Sequence, residues 1–123
     1  CRISIENLSD KTIEDVKVEL SDMKPLHQVF NRLLPLPLSK YSNFNPGEKF
    51  IPIIQWIWKG GHETYQIITS ASTEHTTFFA NDEGHEITLT ITGKNIKPIF
   101  KKYHFGLTFE YGKGKTLWLK PID

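Results

Sequence analysis

Hydrophobic and polar positions alternate with a period of two over much of the chain, and turn residues separate the runs. Ile3 and Ile5 alternate with Arg2, Ser4 and Glu6, which predicts a strand from the very start. After Asn7-Leu8-Ser9-Asp10-Lys11, Val16, Val18 and Leu20 alternate with Asp15, Lys17 and Glu19. Ile87, Leu89 and Ile91 alternate with three threonines. Phe105, Leu107, Phe109 and Tyr111 alternate with Gly106, Thr108 and Glu110. Leu117 and Leu119 form a last run, joined to the previous one by the short glycine hairpin Gly112-Lys113-Gly114-Lys115. Each of these strands has one dry and one wet face, as antiparallel sheets do.

The middle of the chain is less regular. Residues 26–38 open with a possible helical turn (Leu26, Val29, Phe30, Leu33), after which Pro35 and Pro37 force an extended backbone. Prolines lack the ladder donor, so Leu34-Pro35-Leu36-Pro37-Leu38 suits an edge strand or a segment that switches sheets. Asn45-Pro46-Gly47-Glu48 predicts a type II turn. Residues 50–58 then read as one strand that is apolar on both sides. Phe50, Pro52, Ile54, Trp56 and Trp58 lie on one face, and Ile51, Ile53 and Ile57 on the other. Two further strands are expected at 65–71 and 76–80. The sum is an all-β chain of about eight or nine short strands with little or no helix: a two-sheet antiparallel sandwich forming a single domain over 1–123.

Composition agrees. In 123 residues there are 14 Ile and 11 Thr against 2 Ala, a mix suited to half-buried strands. With 38% hydrophobic and 24% charged residues the chain is globular rather than disordered. No apolar run approaches the roughly 18 residues of a membrane-spanning helix. The first residue is Cys1, so a piece excised from a longer protein, in a C-terminal context, is expected. A lipid-bearing terminal cysteine is the lesser alternative, because a strand begins at once and leaves no tether. One cysteine permits no internal disulfide. The compartment stays open, with a reducing one mildly favoured.

The opening Ile3-x-Ile5-x-Asn7-x-Ser9, the following Ile13-x-x-Val16-x-Val18-x-Leu20 and the turn Asn45-Pro46-Gly47-Glu48 together resemble bacterial immunoglobulin-like modules. The group is the loose set of fibronectin-III-like and cell-adhesion-related domains. The resemblance implies an immunoglobulin-like sandwich serving as a spacer, adhesion or interaction module attached to other domains. The cysteine pair of antibody domains is absent.

Candidate chemistry changes this picture little. No Gly-x-Ser-x-Gly elbow or phosphate-cradling glycine loop occurs, so no enzyme activity, catalytic residue or cofactor is expected. His62-Glu63, Glu74-His75 and Asp82-Glu83-Gly84-His85-Glu86 place imidazoles beside carboxylates, but without a ligand-pair spacing. They read as polar surface loops, and no metal is expected.

The sharper signal is the two-sided apolar strand, because a two-sheet sandwich hides only one face of a strand well. Either the Leu/Pro-rich segment 26–38 folds over the second face, which is the simpler expectation, or that face meets another protein or a neighbouring domain, with Leu36, Pro37, Leu38, Trp56, Ile57 and Trp58 as the expected contact region. Trp56 and Trp58, two apart on one face, offer an alternative as a sugar-stacking pair in a carbohydrate-binding module.

Charge supplies a second alternative. Residues 1–93 carry 8 Lys/Arg against 12 Asp/Glu, whereas 94–123 carry 7 lysines against Glu110 and Asp123. The basic region 94–120, with its interleaved aromatics, has the ingredients of a nucleic-acid surface. The simpler expectation is lysines on solvent faces and edges.

Overall fold

The computed structural model describes residues 1–25, 34–59, 62–69, 77–79, 84–112 and 114–122. The helical turn expected at 26–33, His27 and His75 lie outside the described residues, as does the side chain of Trp58. The described chain is all-β and every ladder is antiparallel. Its strands are β1 (Arg2–Asn7), β2 (Ile13–Lys24), β3 (Leu36–Phe44), β4 (Gly47–Pro52), β5 (Ile54–Lys59), β6 (His62–Ile67), β7 (Thr77–Phe79), β8 (His85–Thr92), β9 (Ile99–Glu110) and β10 (Gly114–Ile122). None of the described residues is helical. Accordingly, no helix among them is long and apolar enough to cross a membrane.

Three sheets share one core. The largest has the order β10-β9-β8-β2-β3, and two smaller ones are β1-β4 and β5-β6-β7. Val18, Leu20 and Leu89 on the large sheet, Ile51 on β4 and Ile54, Tyr65 and Ile67 on the third sheet are all fully buried in a single cluster. Tyr65 of β6 packs edge-on against Phe105 of β9, with ring centroids 5.1 Å apart. Apolar faces meeting across a shared core are compatible with a β-sandwich. The strand order is nonetheless not that of a constant-type immunoglobulin domain, where the first strand lies beside the second. Here β1 pairs with β4, and β2 lies between β3 and β8.

The strands with one dry face form where alternation places them. The apolar stretch 50–58 does not. It breaks at Ile53 into β4, which pairs with β1, and β5, which pairs with β6. The break shifts the alternation by one residue. Ile51 and Ile53 face the core before it, and Ile54 and the half-buried Trp56 after it. A change of sheet thus hides most of the apolar surface that a single strand would leave exposed. Phe50 remains 53% exposed on the outer face, with the Arg2 guanidinium 4.4 Å above its ring.

A similar shift occurs in β2. Leu20 lies opposite Leu89 but Asp22 opposite Thr88, so Ser21 is an extra residue. This bulge turns Met23, rather than Asp22, into the core. Ser21 Oγ donates to the Thr88 carbonyl (3.1 Å) and accepts from Thr90 Oγ1 (2.8 Å), which fills the polar needs of the irregularity.

Three expectations are corrected. β6 runs over His62–Ile67, earlier than the expected 65–71. Tyr111 belongs to the β9–β10 turn and is 99% exposed instead of facing the core, because the strand ends at Glu110. His85 is not in a surface loop. It is buried at the start of β8, stacked on Phe105 with centroids 5.4 Å apart. Gly84 makes this possible: its φ is +77°, and a Cβ there would lie 2.2 Å from the Phe105 carbonyl oxygen.

Candidate functional site: a groove beside the first strand

The site starts from Asn7, the last residue of β1 and buried. Its Nδ2 donates to the carbonyls of Lys11 (2.7 Å) and Phe44 (3.1 Å). Its Oδ1 accepts from the Ser9 amide (3.0 Å) and the Ser9 hydroxyl (2.7 Å). Both donors and both acceptor positions of the amide are used. The asparagine turn so formed pins the end of β1 to the end of β3. At the other end, the Cys1 carbonyl accepts from the amides of Ile53 (3.0 Å) and Ile54 (3.4 Å). The Cys1 ammonium donates to the Ile54 carbonyl (2.8 Å). β1 is therefore fixed at both ends along its β4 side.

Along its other side, β1 pairs with no strand among the described residues. There a groove of about 440 Å³ separates it from the large sheet. Its lining includes Ile5 and Leu8 from β1 and its turn, Ile13 and Val16 from β2, Phe44 from β3, Ile91 from β8, and Ile96 and Ile99. Ile99 is 43% exposed and Leu8 87%, so apolar surface is open to water here. Charge is confined to Glu6 on one bank and Lys101 on the other. The groove is concave and mostly apolar, with one charged side chain on each bank.

The expected contact region is placed differently. Leu36 and Leu38, two apart on β3, are both buried core residues, and the ladder to β2 slips by one residue at Leu38. Pro37 is exposed between them, and its carbonyl accepts from the Thr69 hydroxyl. As the proline content suggests, β3 is an edge strand. Trp56 is half-buried, its ring packed edge-on to Tyr65 at 5.5 Å. Ile57 is half-buried, and its carbonyl accepts from Thr64 Oγ1 (3.3 Å). Trp58 lies opposite Glu63 in the β5–β6 ladder.

Of the histidines whose side chains are described, His85 and His104 lie in separate surroundings. The Nδ1 of buried His85 lies 2.9 Å from the Pro25 carbonyl, and His104 packs edge-on to Trp118 at 4.9 Å. Among the described residues no three His, Cys, Asp or Glu side chains are grouped as metal ligands would be. The basic region is divided as well. Lys101 faces the groove, and Lys94 is 3.3 Å from the Glu14 carboxylate. Lys102 and Lys120 lie on the outer face, as alternation from buried Phe105 and half-buried Leu119 requires. There Trp118 lies against the backbone of Gly106, where a Cβ would be 2.7 Å from the ring. Lys120 Nζ sits 5.1 Å from the same ring.

No family model matches the chain, and no curated protein or solved structure matches it either. The functional reading therefore rests on the groove. Sequence reasoning missed it, since its floor draws on several strands and one turn that are far apart in the chain. Ile96 and Ile99, apolar on either side of Pro98 in a turn region, were the available signal.

Proposed function

We propose that this chain is a non-catalytic protein-interaction module of immunoglobulin-like β-sandwich type, which receives a partner polypeptide in the groove beside β1. The observation that carries this reading is the open apolar floor of Ile5, Ile91, Ile96 and Ile99 beside a strand edge that has no ladder partner among the described residues. Burying such a floor is favourable by about 25 cal/mol per Å² of apolar area removed from water. The partner lies on another protein or a neighbouring domain.

Selection from a displayed library of random peptides tests this. Families of binders are expected whose binding is lost in Ile99→Asp, while thermal unfolding of that variant stays close to that of the parent. Ile99 is already half open to water, so the charge has little effect on folding there. A library that yields no binder sensitive to Ile99→Asp would remove the groove from consideration.

A further inference from the structure

The ladder register of β1 identifies which of its backbone groups face away from β4, and of these residues Ser4 and Glu6 line the groove. Pro52 lies opposite Arg2, and proline has no amide hydrogen to exchange. Cys1, one residue earlier, directs both its amine and its carbonyl toward β5. Hydrogen-bonded and non-hydrogen-bonded positions alternate along an antiparallel pair. The amides and carbonyls of Ile3 and Ile5 therefore point to β4, and those of Arg2, Ser4 and Glu6 point to the open side. Ile91 and Ile99 line the same groove as Ser4, Ile5 and Glu6.

We infer that the partner enters as a single extended strand that pairs antiparallel with the open edge of β1. It would carry a basic residue opposite Glu6, an acidic residue opposite Arg2, and apolar residues toward the groove between them. This rests on the groove being the partner site and specifies the chemistry of the partner.

Three observations converge on it. The three outward-facing residues offer three amides and three carbonyls to a ladder. The inward positions of an added strand would cover the exposed part of Ile99. The outer face of β1 carries Arg2 and Glu6 on either side of Ser4, a charge order that favours one direction of the incoming chain. Stacking over Phe50 holds the Arg2 guanidinium at the strand. In an antiparallel partner the complementary order, read from its N-terminus, is basic, apolar, polar, apolar, acidic.

β1 itself has that order, Arg2-Ile3-Ser4-Ile5-Glu6. In a second folded copy, however, β1 carries β4 along its other edge, and Ile99 and Lys101 of the large sheet already line the groove into which that β4 would have to pass. The occupant is therefore a lone strand from another protein.

The experiment uses the full chain and two fluorescein-labelled peptides of identical composition, acetyl-Lys-Ile-Thr-Ile-Glu-amide and acetyl-Glu-Ile-Thr-Ile-Lys-amide, titrated by anisotropy. The first is expected to bind about tenfold more tightly, because two cross-strand charge pairs change from attractive to repulsive in the second. The double variant R2E/E6R should reverse the preference. Ser4→Pro removes an amide that faces the groove and none that faces β4, so it should weaken binding about tenfold with unfolding little changed.

Equal affinity for the two peptides overturns strand pairing, and so does binding unaffected by Ser4→Pro. No binding of either up to about 1 mM overturns it too. Library binders lost in Ile99→Asp but retained in Ser4→Pro would keep the groove as the partner site and discard the strand. A mass that doubles with concentration and falls back on adding the first peptide would make a second copy the occupant, against this inference.

Discussion

Among the described residues, strands β1 and β3 each have a ladder partner on one side only, and they differ in what lies on the other side. β3 carries Pro37 within it, and the Pro37 carbonyl is taken up by the Thr69 hydroxyl. Leu36 and Leu38 are turned into the core. β1 has no proline, its outward-facing amides meet no strand among the described residues, and apolar surface lies open beside it. An unprotected edge ordinarily invites pairing with another chain, and proteins blunt such edges with proline, charge or cover. Among the described residues, then, the β3 edge carries a proline and a side-chain hydrogen bond, and the β1 edge meets neither. It is this difference, rather than exposed apolar area alone, that points to β1.

Four substitutions probe the contrast. Phe44 serves both edges: it ends β3, packs edge-on to Tyr41 at 5.3 Å, and its carbonyl holds Asn7. Phe44→Ala should lower unfolding free energy by about 3–5 kcal/mol, read from a denaturant titration, with peptide capture at the groove lost as well. A decrease below about 1 kcal/mol would mean that the two edges are not coupled through this residue.

Asn7→Ala cuts the tie between the end of β1 and the end of β3. Removing the amide leaves the Lys11 and Phe44 carbonyls without that donor, so a loss of about 2–3 kcal/mol is expected. Thr69→Val is its counterpart on the β3 side, where one hydroxyl bond to Pro37 is removed, and about 1 kcal/mol should be lost. If Thr69→Val proves the more damaging of the two, β1 is not the more firmly anchored edge strand.

The smallest effect concerns β9, which borders the groove. Burial raises the Tyr103 hydroxyl above its ordinary pKa of 10.0. The folded state then holds this proton more tightly than the unfolded chain. Its contribution is fully present below the unfolded value and is lost as pH rises through the folded one. Stability should fall above about pH 10, and Tyr103→Phe should flatten that part of the profile. An alkaline decline identical in the variant would place its origin elsewhere.

Much of the fold was legible in the residues. β1, β8 and β10, and β2 up to its bulge, alternate because each has one face on the core and one on water, and that asymmetry is written residue by residue. The Pro-containing start of β3 was legible as an edge for the same kind of local reason. The rest of β3, Ser39-Lys40-Tyr41-Ser42-Asn43-Phe44, was not, since only Phe44 is fully buried and the alternation is faint. The division of 50–58 was hidden because a one-residue change of phase at Ile53 looks, in sequence, like a strand apolar on both sides.

The candidate site was the least legible part. Leu36 and Leu38 were apolar because they belong to the core, and nothing local distinguishes a buried leucine from one awaiting a partner. The groove exists only once β1, β2, β3 and β8 and the turn carrying Ile96 are brought together.

The bulge at Ser21 has a consequence for how this chain can change length. Because it offsets the two halves of β2 by one residue, Val16–Leu20 and Met23 are inward under different phases. Deleting Ser21 would remove the extra residue and leave a regular strand with Val18, Leu20 and Met23 all inward, whereas a deletion in a regular part of β2 would exchange inside for outside beyond it. Ser21 is thus the position at which a deletion leaves the strand regular. Among the residues of β2, tolerance to a one-residue gap should be concentrated there, since the irregularity opposite Val18 and Glu19 has its extra residue, Leu38, in β3.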